Sequence, residues 1–463
     1  MMRTFSLALR NLLRNRRRSL TTLLAMVVGL TSILLFGGYR SNITYGIETG
    51  FIQGSGHLQI QHQDYYQEGG DNPTAYGISD YQHIIDVVQR DPILAPMLRV
   101  VTPTLQLGGL AGNFSAGLSR SVLAVGVVPA QRSQMEKWND YNLVSYVKPL
   151  LLNGTSEDSV VVGEGVARKL KLCKVLQIAH CVQADAPLLS TGSAAPSDIA
   201  ALSDLEQGNK PTEQGARIEM LAATSHGAPN VASLSVVGAR NMGIKALDDV
   251  YLAMHLGQAQ RLIYGSAEPQ VTAIQVQLLH TRQIPLARAR LHELITTEFG
   301  SQQLAVLDFE TLNPMYGQTA QFMNSMFGFI ATLIAVIVLF TIGNTMSTAV
   351  VERTVEIGTL RAMGLRRSGL RALFLCEGIL LGVFGALAGV LCALVIAYLI
   401  NHSGLSWTPP GYSYAYLILV RVWQDPALLI GSVVGLIVVT VISAWWPANR
   451  ASTMLIVDAL RHV

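Results

Sequence analysis

Residues 344–389 read NTMSTAVVERTVEIGTLRAMGLRRSGLRALFLCEGILLGVFGALAG and join two apolar runs. Each run carries roughly 20 apolar residues, enough to cross a bilayer as a helix. The link between them, 351–371, is rich in arginine, and positive charge beside membrane spans favours the cytoplasm. Gly358 and Gly364 interrupt the link, which predicts a short helix that offers Leu360 and Met363 to a partner. The stretch therefore predicts a coupling helix between two membrane helices.

The composition also indicates a membrane protein. Half of the 463 residues are hydrophobic and 14% are charged, whereas soluble domains carry about 25% charged residues. The net charge of +3 is too small to indicate a nucleic-acid partner. The sequence contains no Gly-Lys dipeptide, and hence no Walker A loop, and neither a His-Glu-x-x-His nor a Cys-x-x-Cys motif. We therefore expect no catalytic residue, no metal site and no cofactor bound by this chain.

Four apolar runs are predicted to cross the membrane as helices, at 20–39, 322–350, 372–400 and 427–446. A signal peptide is the alternative interpretation of the first run, but the run is long and no Ala-x-Ala site follows it. Residues 1–19 predict an amphipathic helix on the membrane surface. The arginine clusters place both termini, the link and the tail at 447–463 in the cytoplasm. The region 40–316 and the loop at 401–426 then lie outside it.

The outer region mixes strand and helix patterns, which predicts an α+β domain. Alternating hydrophobicity predicts strands at 57–60, 99–106, 122–128, 160–162, 234–237 and 271–278. Helical periodicity predicts helices at 81–90, 166–172, 256–263 and 285–299. Residues 183–214 are rich in Ala, Ser, Pro, Gly and Asp, which indicates a loop or insertion with little core.

The four cysteines divide between two environments. Cys173 and Cys181 lie in the outer region, where disulfides persist, and a bridge between them would close a short loop. Two separate buried thiols are the alternative, and zinc binding with His180 is weaker because paired ligand clusters are missing. Cys376 and Cys392 lie in an apolar run and are predicted to act as small hydrophobic residues.

Polar and small residues in the apolar runs predict helix packing. The third run carries glycines at spacings of four, three and four: Gly378, Gly382, Gly385 and Gly389. They fall on one helical face and let another helix approach closely, as Gly431 and Gly435 do in the fourth run. Packing within one subunit and a subunit interface are both open. Asn344 and Glu377 should face protein or water, and an interhelical hydrogen bond would account for Asn344.

The link and the run that follows it resemble the signature of the FtsX/MacB-type permeases, the membrane subunits of a class of ABC transporters. The matching positions are Asn344, Glu352, Arg353, Glu356, Ile357, Gly358, Arg361, Ala362, Gly364, Glu377, Gly378, Gly385 and Gly389. The chain also ends PANRASTMLIVDALR, similar to the family's closing pattern, although Asn449 stands where a second basic residue is common. The resemblance implies a membrane α-helical unit of four helices with a large α+β extracytoplasmic domain.

The resemblance implies a MacB-like core at 40–153 and 234–314, with an inserted subdomain at about 154–233. It implies an ATPase-coupling role for the link residues Glu352, Arg353, Glu356, Gly358, Leu360, Arg361, Ala362, Met363 and Gly364. Local charge pairing along one helical face is the alternative for the two glutamates. Two copies of a separate ABC ATPase would bind ATP and Mg²⁺, and a second permease copy or a homologue would complete the complex.

The layout, together with the segment GHLQI at 56–60, is similar to lipoprotein-releasing (LolC/LolE-like) permeases of the bacterial inner membrane. This implies lipoprotein or other lipophilic cargo, with membrane lipid and a periplasmic carrier or adaptor as partners. Two alternatives stay open: MacB-like efflux of drugs, peptides or toxins through a periplasmic adaptor, and FtsX-like regulation of a cell-wall hydrolase without transport. The outer domain of FtsX-like regulators is typically much shorter than 40–316, which counts against the last.

Overall fold

The computed structural model describes residues 10, 16–70, 72–143, 150–178, 216–408 and 415–454. The chain forms two compact units. The helical unit comprises Met1–Ile47, Met315–Trp407 and Tyr416–Val463, and the sheet unit comprises Glu48–Pro314 and Thr408–Ala415. Almost all of the predicted surface helix at 1–19 and the whole predicted loop at 183–214 lie outside the described residues.

The main helices are numbered in chain order. They are α1 (Arg16–Ser55), α2 (Tyr81–Arg90), α3 (Pro129–Glu136), α4 (Glu164–Lys169), α5 (Leu256–Tyr264), α6 (Ile284–Glu298), α7 (Pro314–Glu352), α8 (Thr354–Ala362), α9 (Arg367–His402) and α10 (Pro426–Thr453). Short helical turns lie at Tyr65–Glu68, Lys245–Asp248 and Phe309–Leu312.

Four of these helices, α1, α7, α9 and α10, are long and apolar enough to cross a membrane. The predicted set of four apolar helices is therefore confirmed. Each helix is longer than the apolar run that predicted it, and α1 continues past residue 39 to Ser55. No proline interrupts residues 40–55, and the helix ends only before Gly56, whose φ of +77° favours glycine. Hydropathy thus located the apolar part of the helix and missed its end.

The helical unit packs around a shared apolar core, and three polar contacts between helices add to that packing. The core includes Met26, Leu30, Leu34, Val338, Ile342, Met346, Leu381, Ala386, Ala393, Ala397 and Leu436. The Thr31 hydroxyl donates to the Gly389 carbonyl over 3.1 Å, and the Thr22 hydroxyl donates to that of Thr345 over 3.0 Å. The Ser41 hydroxyl donates to an Asp425 carboxylate oxygen over 2.7 Å. Such bonds fix helix register in apolar surroundings, where an unsatisfied polar group is costly.

Among its described residues, the sheet unit contains one nine-stranded sheet. Its strands are β1 (Leu58–His62), β2 (Leu98–Asn113), β3 (Leu118–Val127), β4 (Ser159–Gly163), β5 (Ala216–Ala223), β6 (Pro229–Arg240), β7 (Tyr251–His255), β8 (Ala273–Leu278) and β9 (Leu304–Asp308). Their order is β3-β7-β4-β6-β5-β2-β8-β1-β9, with a further pairing of β3 with β2. A separate antiparallel pair, β10 (Ser406–Trp407) and β11 (Tyr416–Leu417), belongs to the helical unit.

The strand pairings close into a ring because β2 pairs with other strands along both of its edges. One edge of β2 pairs with β3, while the other pairs with β8 along Leu98–Thr104 and with β5 along Leu110–Gly112. Six strands, β2, β3, β7, β4, β6 and β5, therefore form a closed circuit, from which β8, β1 and β9 extend. Strands β4 and β5 come from the segment predicted as an inserted subdomain, yet they join this same sheet. The boundary of such a subdomain stays a prediction.

The predicted α+β character of the region is confirmed. The four predicted helices correspond to α2, α4, α5 and α6, and the six predicted strands correspond to β1, β2, β3, β4, β6 and β8. One continuous apolar core joins the sheet to these helices, and it includes Ile84, Val166, Ile263, Leu291 and Leu105. Strands β5, β7 and β9 and helix α3 were not predicted.

The last turn of α1 belongs to the sheet unit and is held to the rest of that unit by two side-chain hydrogen bonds. The Gln277 amide donates to the Ile52 carbonyl over 3.2 Å, and the Gln53 amide donates to the Trp138 carbonyl over 2.7 Å. The Ile52 carbonyl also accepts the Gly56 main-chain N–H over 3.0 Å, so the Gln277 amide adds a second hydrogen bond at this helix end. The end of α1 is thereby fixed at the start of β1.

His57, just after this helix end, is fully buried and neutral. Its Nδ1 accepts a hydrogen bond from the Leu278 main-chain N–H over 3.0 Å, and its ring lies edge-on to Trp138 at 5.0 Å between centroids. Burial, together with the smaller effect of the His280 charge, lowers the pKa of His57 from 6.5 to about 3. Protonation of this ring is therefore unfavourable in the folded protein.

We expect acid to destabilise the sheet unit through His57. The unfolded chain binds a proton near pH 6.5 and the folded chain does not, so the contribution is complete above pH 6.5 and is lost as the pH falls toward 3. The loss should reach a few kcal/mol. Thermal unfolding of the full chain in detergent, followed from pH 7.5 to 4.5, measures it. His57→Asn keeps an acceptor for Leu278 and should flatten this dependence; an unchanged slope would contradict the assignment.

Candidate functional site: the helix between the second and third apolar helices

Helix α8 follows an interruption of the helical conformation at the end of α7. Arg353 leaves the helical conformation, with φ of −105° and ψ of 19°. The Thr354 hydroxyl donates to the carbonyls of Val350, over 3.2 Å, and Val351, over 2.7 Å, and so satisfies carbonyls at the break. At the other end, Gly364 has φ of +96°, which favours glycine and reverses the chain toward α9. The predicted short helix is present and Gly364 follows its end, but Gly358 lies inside the helix and does not bound it.

One face of α8 is buried against neighbouring helix ends. Ile357 is 2% exposed and Gly358 is also buried. Ile357 belongs to a small apolar cluster with Val350 of α7, Leu370 and Phe374 of α9, and Ala448 and Ala451 of α10. The helix is therefore packed against the body of the helical unit.

A buried ion pair joins the start of α8 to α9. Arg353 Nη1 lies 3.1 Å from Glu377 Oε1, and the two side chains are 9% and 3% exposed. A buried charge is tolerated when it is paired and hydrogen-bonded. Arg353 has a predicted coupling role and Glu377 a predicted packing role, and the structure brings the two residues together.

Two further polar contacts hold this region to the end of α10. The Arg361 guanidinium donates to the Met454 carbonyl, and Arg371 Nε donates to the Ser452 hydroxyl over 2.9 Å. These contacts were not predicted, because their partners lie 93 and 81 residues apart in the chain. No local sequence pattern could have paired them.

The opposite face of α8 and the turn after it are exposed. The exposed residues are Val355, Glu356, Thr359, Ala362, Met363 and Gly364, and Leu360 is half-buried. Met363 is 76% exposed, which is unusual for a long apolar side chain. The surface offers apolar groups and a carboxylate. Among the described residues, no group of three or more His, Cys, Asp or Glu side chains is placed to hold a metal ion.

The glycines of α9 lie against other helices of the same chain. A Cβ added at Gly378 would lie 2.8 Å from the Ala444 side chain, and one added at Gly382 would lie 3.1 Å from that of Thr440, both on α10. Gly385 and Gly389 face Met26 and Leu30 of α1, at 2.9 Å and 3.0 Å. For Gly431 and Gly435 of α10, by contrast, an added Cβ would have nothing within 4 Å among the described residues.

Two other groups of predicted residues have different outcomes. Asn344 is exposed on α7, and within the described ranges its side chain makes no interhelical hydrogen bond. The next residue, Thr345, bonds to α1 instead, because each residue turns the helix by about 100°. Cys376 and Cys392 are free and half-buried, as predicted for small hydrophobic residues. Cys173 is buried, but Cys181 lies outside the described residues, so their disulfide stays a prediction.

Residues 328–456, which contain α8 and its contacts, match the FtsX-like permease C-terminal family. This part of the chain is therefore similar to the C-terminal domain of the FtsX-like permeases. The chain is 26% identical over 243 residues to the lipoprotein-releasing system transmembrane protein LolC of Neisseria meningitidis, covering 50% of this chain and 56% of that protein. It is 23% identical over 227 residues to the macrolide export ATP-binding/permease protein MacB of Mannheimia succiniciproducens, covering 49% and 33%.

A further relative, the ABC transporter permease YtrF of Bacillus subtilis, is 33% identical over 144 residues, which cover 29% of this chain and 31% of that protein. The matches thus span about half or less of the length of these relatives. The extracellular domain of the transporter YknZ aligns over 54% of this chain and 99% of that domain at 11% identity. Its TM-score of 0.29 is too low to support a fold assignment.

The close approach of α9 and α10 predicts the effect of enlarging Gly378. We expect Gly378→Leu to destabilise the helical unit by about 1–3 kcal/mol, because the new side chain must displace Ala444. Gly435→Leu, on the open side of α10, is the matched control and should leave stability unchanged. Thermal unfolding in detergent compares the two. Equal melting temperatures for both variants would show that α9 and α10 do not pack at Gly378.

Proposed function

We propose that this chain is the permease subunit of an ABC transporter, in which α8 docks on a separate ATPase and passes its motion to the rest of the chain. The observation that carries the proposal is the two-sided character of α8. One face is packed against α9 and α10, while the other presents Glu356 and Met363 to solvent. A helix fixed on one side and open on the other is suited to receive a partner. Its position within an FtsX-like domain adds support.

The ATPase is proposed to be a different polypeptide, present in two copies beside two permease subunits. The sequence has no Gly-Lys dipeptide with which to build a phosphate-binding loop. ATP and Mg²⁺ would accordingly bind to the partner and not to this chain. The exposed patch around Met363 fits such a contact, since methionine adapts to partner surfaces and apolar anchors at the centre of an interface carry much of the binding energy.

The proposed orientation places α8 and both termini in the cytoplasm of a bacterium, with the sheet unit outside the inner membrane. Arg366 and Arg367 are exposed beside α8, and Arg450 lies near the end of α10. Clusters of arginine next to apolar helices favour the cytoplasmic side. The sheet unit would then lie in the periplasm.

The proposed cargo is a lipoprotein or another lipophilic molecule taken from the membrane. One relative, which matches over 50% of this chain, is a lipoprotein-releasing protein by name. The helices contribute few charged side chains to their apolar stretches, which argues against a polar channel for a soluble substrate. Mechanical transfer of a membrane-anchored molecule to a periplasmic carrier fits this composition.

Efflux through a periplasmic adaptor is the second candidate function. Several relatives are macrolide export proteins by name, among them those of Mannheimia succiniciproducens and Bordetella avium. Purification of the complex from native membranes, with identification of the bound molecule, separates the two: a triacylated protein supports the first function, and a bound macrolide or peptide supports the second.

Cysteine labelling tests the orientation. A membrane-impermeant thiol reagent added to spheroplasts of a Cys376→Ser, Cys392→Ser background should modify Glu298→Cys, in the sheet unit, and leave Met363→Cys unmodified. Both positions are exposed in the structure, so lysis should make both reactive. Labelling of the cysteine at position 363 in intact spheroplasts would invert the proposed topology.

Substitutions on the open face of α8 test the docking. Met363→Glu and Glu356→Arg should lower recovery of the ATPase with the tagged full chain by about tenfold or more, because they remove an apolar anchor and reverse a charge. Mass spectrometry identifies the recovered ATPase, and its ATP hydrolysis is assayed in the purified complex. Glu298→Arg, an exposed charge reversal in the sheet unit, is the control. Undiminished recovery with both α8 variants would exclude this face as the docking site.

A further inference from the structure

The contacts of α8 differ in kind between α7 and the pair formed by α9 and α10. Toward α7, the chain is broken at Arg353, and Val350 packs against Ile357 in the apolar cluster. The polar contact across the break comes from the Thr354 hydroxyl, which bonds to carbonyls of the last turn of α7. Because the helical conformation is interrupted at Arg353, this junction is the place where α8 can change its angle to α7.

Toward α9 and α10, the contacts are directional. Arg353 and Glu377 form the buried ion pair, with 3.1 Å between their atoms. Arg361 donates to the Met454 carbonyl at the end of α10. Charge-assisted hydrogen bonds of guanidinium groups fix orientation as well as distance. Helix α8 is therefore held to α9 near its N-terminal end and to α10 near its C-terminal end.

Near α8, helices α9 and α10 are packed together without space for a methyl group at Gly378. Gly378 lies one residue after Glu377, and a Cβ at this position would lie 2.8 Å from the Ala444 side chain. Arg371 of α9 also bonds to Ser452 of α10 over 2.9 Å. A displacement of α8 would therefore reach both helices at once, since closely packed elements transmit strain.

We infer that Arg353 and Glu377 are positioning residues that make α8 move as one body with α9 and α10, with the bend occurring at the junction with α7. This inference rests on the proposed function, in which an ATPase moves α8. The alternative is that the pair serves stability alone, because each charge would be costly if it were buried without the other. The two roles differ in what happens when both charges are removed together.

The decisive variant is Arg353→Met combined with Glu377→Met. Replacing a buried ion pair by apolar side chains is often neutral or stabilising, so this double variant should fold and retain the ATPase. The experiment uses the tagged full chain purified with its ATPase. An environment-sensitive fluorophore is placed at Leu399→Cys on α9, or at Phe329→Cys on α7, in a background with Cys376 and Cys392 replaced by serine. Leu399 and Phe329 are 61% and 68% exposed.

In the parent complex, ATP with vanadate should shift the fluorescence of the α9 probe. In the double variant we expect that shift to fall at least about fivefold, the lower range of coupling between distant sites, while ATP hydrolysis continues. The α7 probe reports any motion that bypasses α9. An undiminished α9 shift in the double variant would overturn the inference and leave the pair a purely stabilising role.

Arg353→Lys provides a second test if the double variant does not fold. Lysine keeps the charge but lacks the planar fork of the guanidinium, so folding should persist while the α9 shift decreases; an α9 shift equal to that of the parent would contradict the inference. If the parent chain recovers no ATPase at all, the proposed function fails first, which separates that result from failure of the inference.

Discussion

Arg353 and Glu377 impose a constraint on the whole helical unit, because neither charge could be buried without the other. Their pairing brings the end of α7 to the first half of α9 across 24 residues of chain. Helix α8 has little freedom between these points, and its apolar side must lie against α9 and α10 while its polar side faces outward. The same geometry that satisfies two charges thus determines which residues of α8 a partner can reach.

Glycine complements this constraint along the length of α9. Gly378 and Gly382 allow α10 to approach, and Gly385 and Gly389 allow α1 to approach. One helix thereby contacts two others through faces that carry no side chain. Helices in apolar surroundings gain little from hydrophobic burial and depend on close contact. The buried ion pair near one end of α9 and the glycines along the rest of it both provide such contact.

Much of this architecture could be predicted from the sequence, because the relevant signals are local. The apolar runs, the glycine that ends the α8 segment and the alternation in β2 and β3 each operate within about 20 residues. The contacts that the sequence did not reveal are distant ones. Arg361 and Met454 are 93 residues apart, and β4 pairs directly and in parallel with β6, although β5 lies between these two strands in the chain. The exposure of Asn344 was also not predictable, since one residue of helical rotation decides whether Asn344 or Thr345 faces α1. Opposite charges in apolar surroundings could have suggested the pairing of Arg353 with Glu377.

Because β2 pairs along both of its edges, the sheet unit can be divided in few ways when fragments of it are to be expressed separately. A fragment ending near residue 153 would keep β2 but lose β5, and the main-chain N–H and C=O groups of Leu110–Gly112 would lie on an open strand edge. Such edges recruit other chains and lead to aggregation. A soluble piece of this protein must therefore retain β5 and β6 with β2, and also β8, which covers the same edge of β2 along Leu98–Thr104.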